Sequence, residues 1–171
     1  MYVKKKLWLQ IKGKVQEMKQ DDFYLKKAVD SARQAYEQDE VPVGAVIVGA
    51  DGEIIASAWN QVEQKHNQAE HAELKVLQEA AKKKGAWRLD DCTLYVSLEP
   101  CLMCLGAIYL FRIKRLVYGA ESPLFGAVLE KLDQDDLLRV YKNFTLDIDY
   151  IPCEESKLLL KKFFKEKRSK K

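Results

Sequence analysis

The sequence predicts an α/β layered fold, because stretches of strand character alternate with stretches of helical periodicity along one chain of 171 residues. A second observation agrees: Thr93-Leu-Tyr-Val-Ser-Leu98 is a near-continuous apolar run, as expected of a strand covered on both faces. A third is that no internal repeat or low-complexity segment points to another architecture. The length suits one core, and 47% hydrophobic with 32% charged residues is an ordinary globular balance.

The elements follow in order. Residues 1–17 have mixed periodicity interrupted at Gly13, so residues 1–20 read as an N-terminal extension and 21–171 as the domain proper. Phe23, Ala28, Val29, Ala32, Ala35 and Tyr36 recur at helical spacing, with Asp21 or Asp22 as the expected N-cap. Residues 43–48 and 53–58 flank the turn Gly49-Ala50-Asp51-Gly52 and predict an antiparallel hairpin. Polar residues 59–68 read as a loop. A helix is expected over 71–84, stopped by Gly85. After the strand at 93–98, Glu99-Pro100 opens a helix over 101–111, where the missing N–H of proline costs nothing. Residues 115–120 give a strand, 121–131 a loop, 134–141 a short helix and 144–150 a strand. A final helix from about Glu154 runs into the basic tail.

The net charge of +3 says less than its distribution. From Lys157 onward the chain holds eight cations against one acid, and Lys4-Lys5-Lys6 adds a second basic run. Two basic ends on a near-neutral body suit a polyanion such as nucleic acid; the plainer alternative is a solvated helix face and a frayed end. The longest uncharged apolar stretch, Cys101–Phe111, is too short to cross a bilayer, and the first twenty residues lack the apolar core of a signal peptide. A cytoplasmic location without membrane attachment is therefore expected, and there clustered cysteines are metal ligands more often than disulfides.

Cys101 and Cys104 lie one helical turn apart, so both sulfurs can grip one ion, and the start of a helix favours their thiolates. A structural zinc site wants four protein ligands, but no second Cys-x-x-Cys is present and the only histidines are His66 and His71. Three ligands, His71, Cys101 and Cys104, with a fourth position open to water form the catalytic arrangement, one Zn²⁺ per subunit. Glu73, two residues beyond His71, is placed to move a proton without binding the metal. The string His71-Ala72-Glu73 followed by Pro100-Cys101-Leu102-Met103-Cys104 matches the H-x-E…P-C-x-x-C signature of zinc deaminases.

Val41-Pro-Val-Gly-Ala-Val46, Trp59-Asn60, the zinc motifs, Arg112-Ile113 and Val117-Tyr118-Gly119-Ala120 together resemble the bacterial tRNA-specific adenosine deaminases, over about residues 22–168. The resemblance implies conversion of adenosine to inosine at the wobble position of tRNA. It implies a three-layer α/β/α cytidine-deaminase-like fold with a central five-stranded mixed sheet, and a homodimer whose subunits build the RNA surface jointly. It also implies that Asn60 hydrogen-bonds the flipped nucleotide, that Ala72 offers its N–H to the purine, and that Val43 with Pro42 walls the pocket. Glu99 would lie by the leaving amino group, and Lys165, Lys167 and Arg168 would meet the RNA backbone.

The chain departs from the family at 121–129. The family's Asp-Pro-Lys-x-Gly-Ala-x-Gly-Ser is replaced by Glu121-Ser122-Pro123-Leu124-Phe125-Gly126-Ala127-Val128-Leu129. The Leu105-Gly-Ala-Ile-Tyr109 stretch is also similar to guanine deaminases, which leaves a free-base guanine or cytosine deaminase as the alternative. A catalytically silent zinc-stabilised RNA binder is a third reading, and Glu73 argues against it.

Overall fold

A computed structural model of the chain describes residues 2–127 and 144–169, with side chains from Met18 onward. The elements are α1 (Tyr2–Glu37), β1 (Gly44–Val48), β2 (Ile54–Trp59), α2 (Val62–Lys65), α3 (Ala72–Lys84), β3 (Thr93–Val96), α4 (Leu102–Leu110), β4 (Arg115–Tyr118), β5 (Asp147–Tyr150) and α5 (Glu154–Ser169). The helix expected over 134–141 lies outside the described residues.

One five-stranded sheet runs in the order β2-β1-β3-β4-β5. β1 is antiparallel to both β2 and β3, while β3, β4 and β5 are mutually parallel, so the sheet is mixed as expected. Alternate residues of the central strands face opposite layers. Ala45, Ile47, Leu94, Val96 and Leu116 join Ala72, Val76, Leu77, Leu105 and Ile108 from α3 and α4. Val46, Val48, Tyr95 and Val117 join Leu25 and Ala28 from α1. α5 packs on α1, with Tyr36 edge-on to Phe163. The result is the predicted α/β/α sandwich, with α3 and α4 in one layer and α1 and α5 in the other.

Strand pairing puts the end of β2, the start of β1 and the end of β3 at one edge, since Gly44 faces Trp59 and Ala45 faces Val96. Chain segments leaving there carry Asn60, His71 and Cys101. β3 and β4 are parallel and joined through α4, which begins beyond the carboxyl end of β3.

The start of α1 corrects the sequence reading. No helix begins at Asp21 or Asp22; α1 is continuous from Tyr2, so the expected boundary at residue 20 falls inside a helix. Gly13 costs only about 1 kcal/mol relative to alanine in a helix interior, too little to end it. The Asp21 side chain, rather than capping, is buried and accepts from Arg115 at 2.8 and 3.0 Å and from the Tyr95 hydroxyl at 2.8 Å. Arg115 also donates to Asp149 at 2.7 Å, so one guanidinium ties α1, β4 and β5 together. That contact pushes the Arg115 pKa further up, Asp21 being the main cause.

The two carboxylates differ in solvent access, at 4% exposed for Asp21 and 48% for Asp149. Removing one partner of a buried pair leaves an uncompensated charge at a cost of about 3 kcal/mol, whereas an exposed pair contributes about 1 kcal/mol or less. Asp21→Ala should therefore lower Tm by roughly 6–12 °C in calorimetry, and Asp149→Ala by about 2–4 °C or less.

Candidate metal centre and active site

His71 is the N-cap of α3 and Cys101 the N-cap of α4, both with extended backbone and neither using its side chain to cap. Side chains of residues that would ordinarily close their own helix are thus turned to something else. The His71 Nδ1 lies 3.7 Å from Cys101 Sγ and 3.4 Å from Cys104 Sγ. All three ligand atoms fall within 4.8 Å of one another. Tetrahedral zinc with ordinary Zn–N and Zn–S bonds sets its nitrogen and sulfur ligands about 3.5 Å apart, so the cluster fits the ion without rearrangement.

The electrostatics agree. Cys104 donates to Cys101 and holds the Cys101 thiol down to about 4, with burial opposing and His71 assisting. The same contact, together with burial, drives Cys104 upward. Two sulfurs in contact do not both ionise unaided, and a divalent cation supplies the missing charge. The His71 imidazole is raised in turn, chiefly by its contact with Cys101.

Glu73 sits in the first turn of α3, 3% exposed. Burial raises its pKa, and its Oε2 has no hydrogen-bond partner among the described residues. A buried carboxylate oxygen without a partner is costly, and it marks a place where a ligand is meant to enter.

Asn60 follows β2 directly and is buried. Its backbone N–H donates to the Val43 carbonyl at 3.1 Å, and its Oδ1 accepts from the Ala72 N–H at 2.9 Å. The Ala72 N–H expected to face the purine is thus donated inside the protein, to the Asn60 Oδ1. Val43 and Ala72 are themselves buried.

The 122–127 segment docks across the cysteine turn. Cys101 bridges Gly126, and the Ala127 N–H donates to the Pro100 carbonyl at 3.0 Å. The Glu99 carboxylate accepts from the Ser122 N–H at 2.9 Å, so it anchors this loop. Only the retained Gly126-Ala127 pair signals that docking in the sequence.

Lys165, Lys167 and Arg168 are not brought to the metal cluster. They lie on α5, in the layer opposite α3 and α4, where Lys167 pairs with Asp39 at 2.7 Å while Lys165 and Arg168 are exposed.

Three inward-facing ligands and a buried carboxylate, at the helix starts of an α/β/α sandwich, define a zinc-dependent deaminase centre. The chain belongs to the cytidine and deoxycytidylate deaminase family, whose zinc-binding region model matches residues 18–120, and its metal is zinc. Within that family it is 42% identical over 156 residues to the tRNA-specific adenosine deaminase of Bacillus subtilis, covering 90% of this chain and 94% of that one. A structure from work on A-to-I editing by tRNA:A34 deaminases at the wobble position superposes with a TM-score of 0.73 at 37% identity, covering 81% of this chain and 99% of that one. A guanine deaminase of Bacillus subtilis superposes less closely, at a TM-score of 0.55 and 33% identity over 76% of this chain and 98% of that one.

Cys104 is fully buried beneath the site, so no water or neighbouring side chain replaces its sulfur. Purified protein should carry about one zinc per chain by elemental analysis, and Cys104→Ala should carry almost none.

Proposed function

We propose that the chain is a hydrolytic deaminase that converts adenosine to inosine at the wobble position of tRNA. The reaction class is carried by the His71–Cys101–Cys104 cluster with the partnerless Glu73 oxygen beside it. The substrate rests on the likeness to the tRNA-specific adenosine deaminase of Bacillus subtilis across nearly its whole length.

His71, Cys101 and Cys104 hold the zinc, which when bound makes water nucleophilic near neutral pH. Glu73 takes one proton from the attacking water and passes it to the ring nitrogen, then takes the second from the hydroxyl so added and passes it to the departing amino group, so that water and adenosine give inosine and ammonia. Its raised pKa suits both halves of that task. Asn60 donates its NH2 to the nucleotide, while Ala72 and Val43 wall the pocket. A loop base is splayed out at little cost, which suits a buried pocket to a tRNA loop.

The exposed cations Lys165 and Arg168, with Lys167, meet RNA phosphates. The molecule is a homodimer: α4 carries no charged residue, and its Leu102, Met103 and Leu110 are exposed, an apolar face that a second copy covers. The location is cytoplasmic, where tRNA is; no described helix is long and apolar enough to cross a membrane. Residues 21–171 form the deaminase domain and 1–20 an extension that lengthens α1.

A transcribed tRNA with adenosine at the wobble position, assayed beside free guanine, cytosine and adenosine, tests the reading. Inosine should appear in the tRNA with the free compounds unchanged; guanine turnover with an inert tRNA would overturn it. Glu73→Gln should keep its zinc and lower kcat by about 10²–10⁴. Truncation after Phe164 should weaken tRNA binding most at low salt, making the slope of log Kd against log salt shallower by about 2–4.

A further inference from the structure

Glu40 is a buried carboxylate, 1% exposed, that takes no part in the metal cluster. It stands just beyond α1, where Asp39 turns the chain with φ 62° and the Glu40 N–H donates to the Ala35 carbonyl at 3.0 Å. Its two oxygens are both used. Oε2 accepts from the Glu63 N–H at 3.1 Å and Oε1 from the Gln64 N–H at 2.8 Å. Those amides are the second and third of α2, the pair an N-cap side chain normally satisfies. The local N-cap, Gln61, makes no such bond. A helix of four residues does not persist on its own, since nucleation is costly and too few turns follow to offset it. Glu40 therefore caps α2 from 23 residues away.

Residues 61–70 form a closed loop, because the Gln61 N–H donates to the Glu70 carbonyl at 3.0 Å. Lys75 from α3 fastens it further through Gln61 and Glu70. The two residues that bracket this loop are Asn60 and His71, and Ala72 returns its N–H to Asn60. Wherever the loop sits, both ends of the substrate pocket sit with it. Val41, Pro42 and Val43 follow Glu40 directly, and the Val43 carbonyl receives the Asn60 N–H. The Glu40 carboxylate thus holds the loop's backbone against the segment that precedes β1, beside the Gln38 Oε1 that accepts from Gln64 Nε2 at 2.9 Å.

We propose that Glu40 is a positioning residue for deamination, acting through the 61–70 loop to hold Asn60 in place. This rests on the reading of Asn60 as the nucleotide-binding residue.

Glu40→Gln keeps shape and one acceptor but turns an NH2 towards a backbone donor. We expect zinc content unchanged and kcat/KM on tRNA lowered about tenfold to a hundredfold, the effect of losing one charge-assisted hydrogen bond. In an Asn60→Ala background the same change should cost little more, because the residue it positions is already gone. Glu40→Asp should recover part of the loss. Equal costs of Glu40→Gln in both backgrounds, or full activity of the single variant, would overturn the proposal. Amide exchange separates its failure from that of the functional reading. If wild-type protein leaves the tRNA untouched, that reading fails, and the Glu40 proposal then stands or falls on the 61–66 amides of Glu40→Gln. Exchange about tenfold faster than wild type, with α3 unchanged, supports it; unchanged exchange overturns it.

Discussion

Everything in the site depends on two helices beginning at the same edge of one sheet. A zinc ion wants its ligands a few ångströms apart in a tetrahedral arrangement, and a chain supplies that reliably only from rigid elements. Here β1, antiparallel to β2 and β3, brings the end of β2 and the end of β3 to neighbouring positions. The chain leaving β2 reaches α3 with His71 at its cap, and the chain leaving β3 reaches α4 with Cys101 at its cap. The buried stripes of α3 and α4 rest on the same layer of strand residues, so their starts cannot drift apart without unpacking the core.

That geometry has an electrostatic consequence. Cys101, Cys104 and Glu73 are three acidic groups in one buried or half-buried cluster, with His71 as the facing base. Without further positive charge the cluster settles by keeping Cys104 protonated and raising Glu73. A divalent ion reverses the balance at the sulfurs, which become ligands, while Glu73 stays outside the ligand set with one oxygen partnerless. The same burial raises the pKa of Glu73, which suits its carboxyl group to give as well as take a proton.

Much of this was legible in the chain. Strand and helix periodicities located all five strands and α3, α4 and α5, because each buries a face whose spacing appears in the sequence. The metal ligands were legible because helix-start chemistry ties their spacing to geometry. What was not legible depends on distant partners. Asp21 looks like a cap because its neighbours begin an apolar pattern; only the approach of Arg115 and Tyr95 reveals its use. The short helix at 62–65 has no apolar face to announce it, and its cap comes from Glu40 rather than from an adjacent residue. The basic ending reads as one patch in sequence, yet Lys167 turns to Asp39 and the whole helix lies on the layer away from α3 and α4.

The departure at 121–129 can be weighed in the same terms. An added Cβ at Gly126 would come within 2.1 Å of the Glu99 Oε2, so glycine there is required by the carboxylate that anchors the loop. Ser122 offers its N–H to that same oxygen, and Ala127 hydrogen-bonds the Pro100 carbonyl. These anchors use backbone N–H groups, which any residue but proline supplies at 122 or 127. Leu124, which stands where the family has lysine, and Phe125 beside it form the exposed tip. A lysine there meets phosphate through charge; a leucine and a phenylalanine offer apolar and aromatic surface, which favours a stacked base over a phosphate. Among the described residues of this segment the departure therefore leaves the anchors on the cysteine turn in place and changes the side chains of the exposed tip.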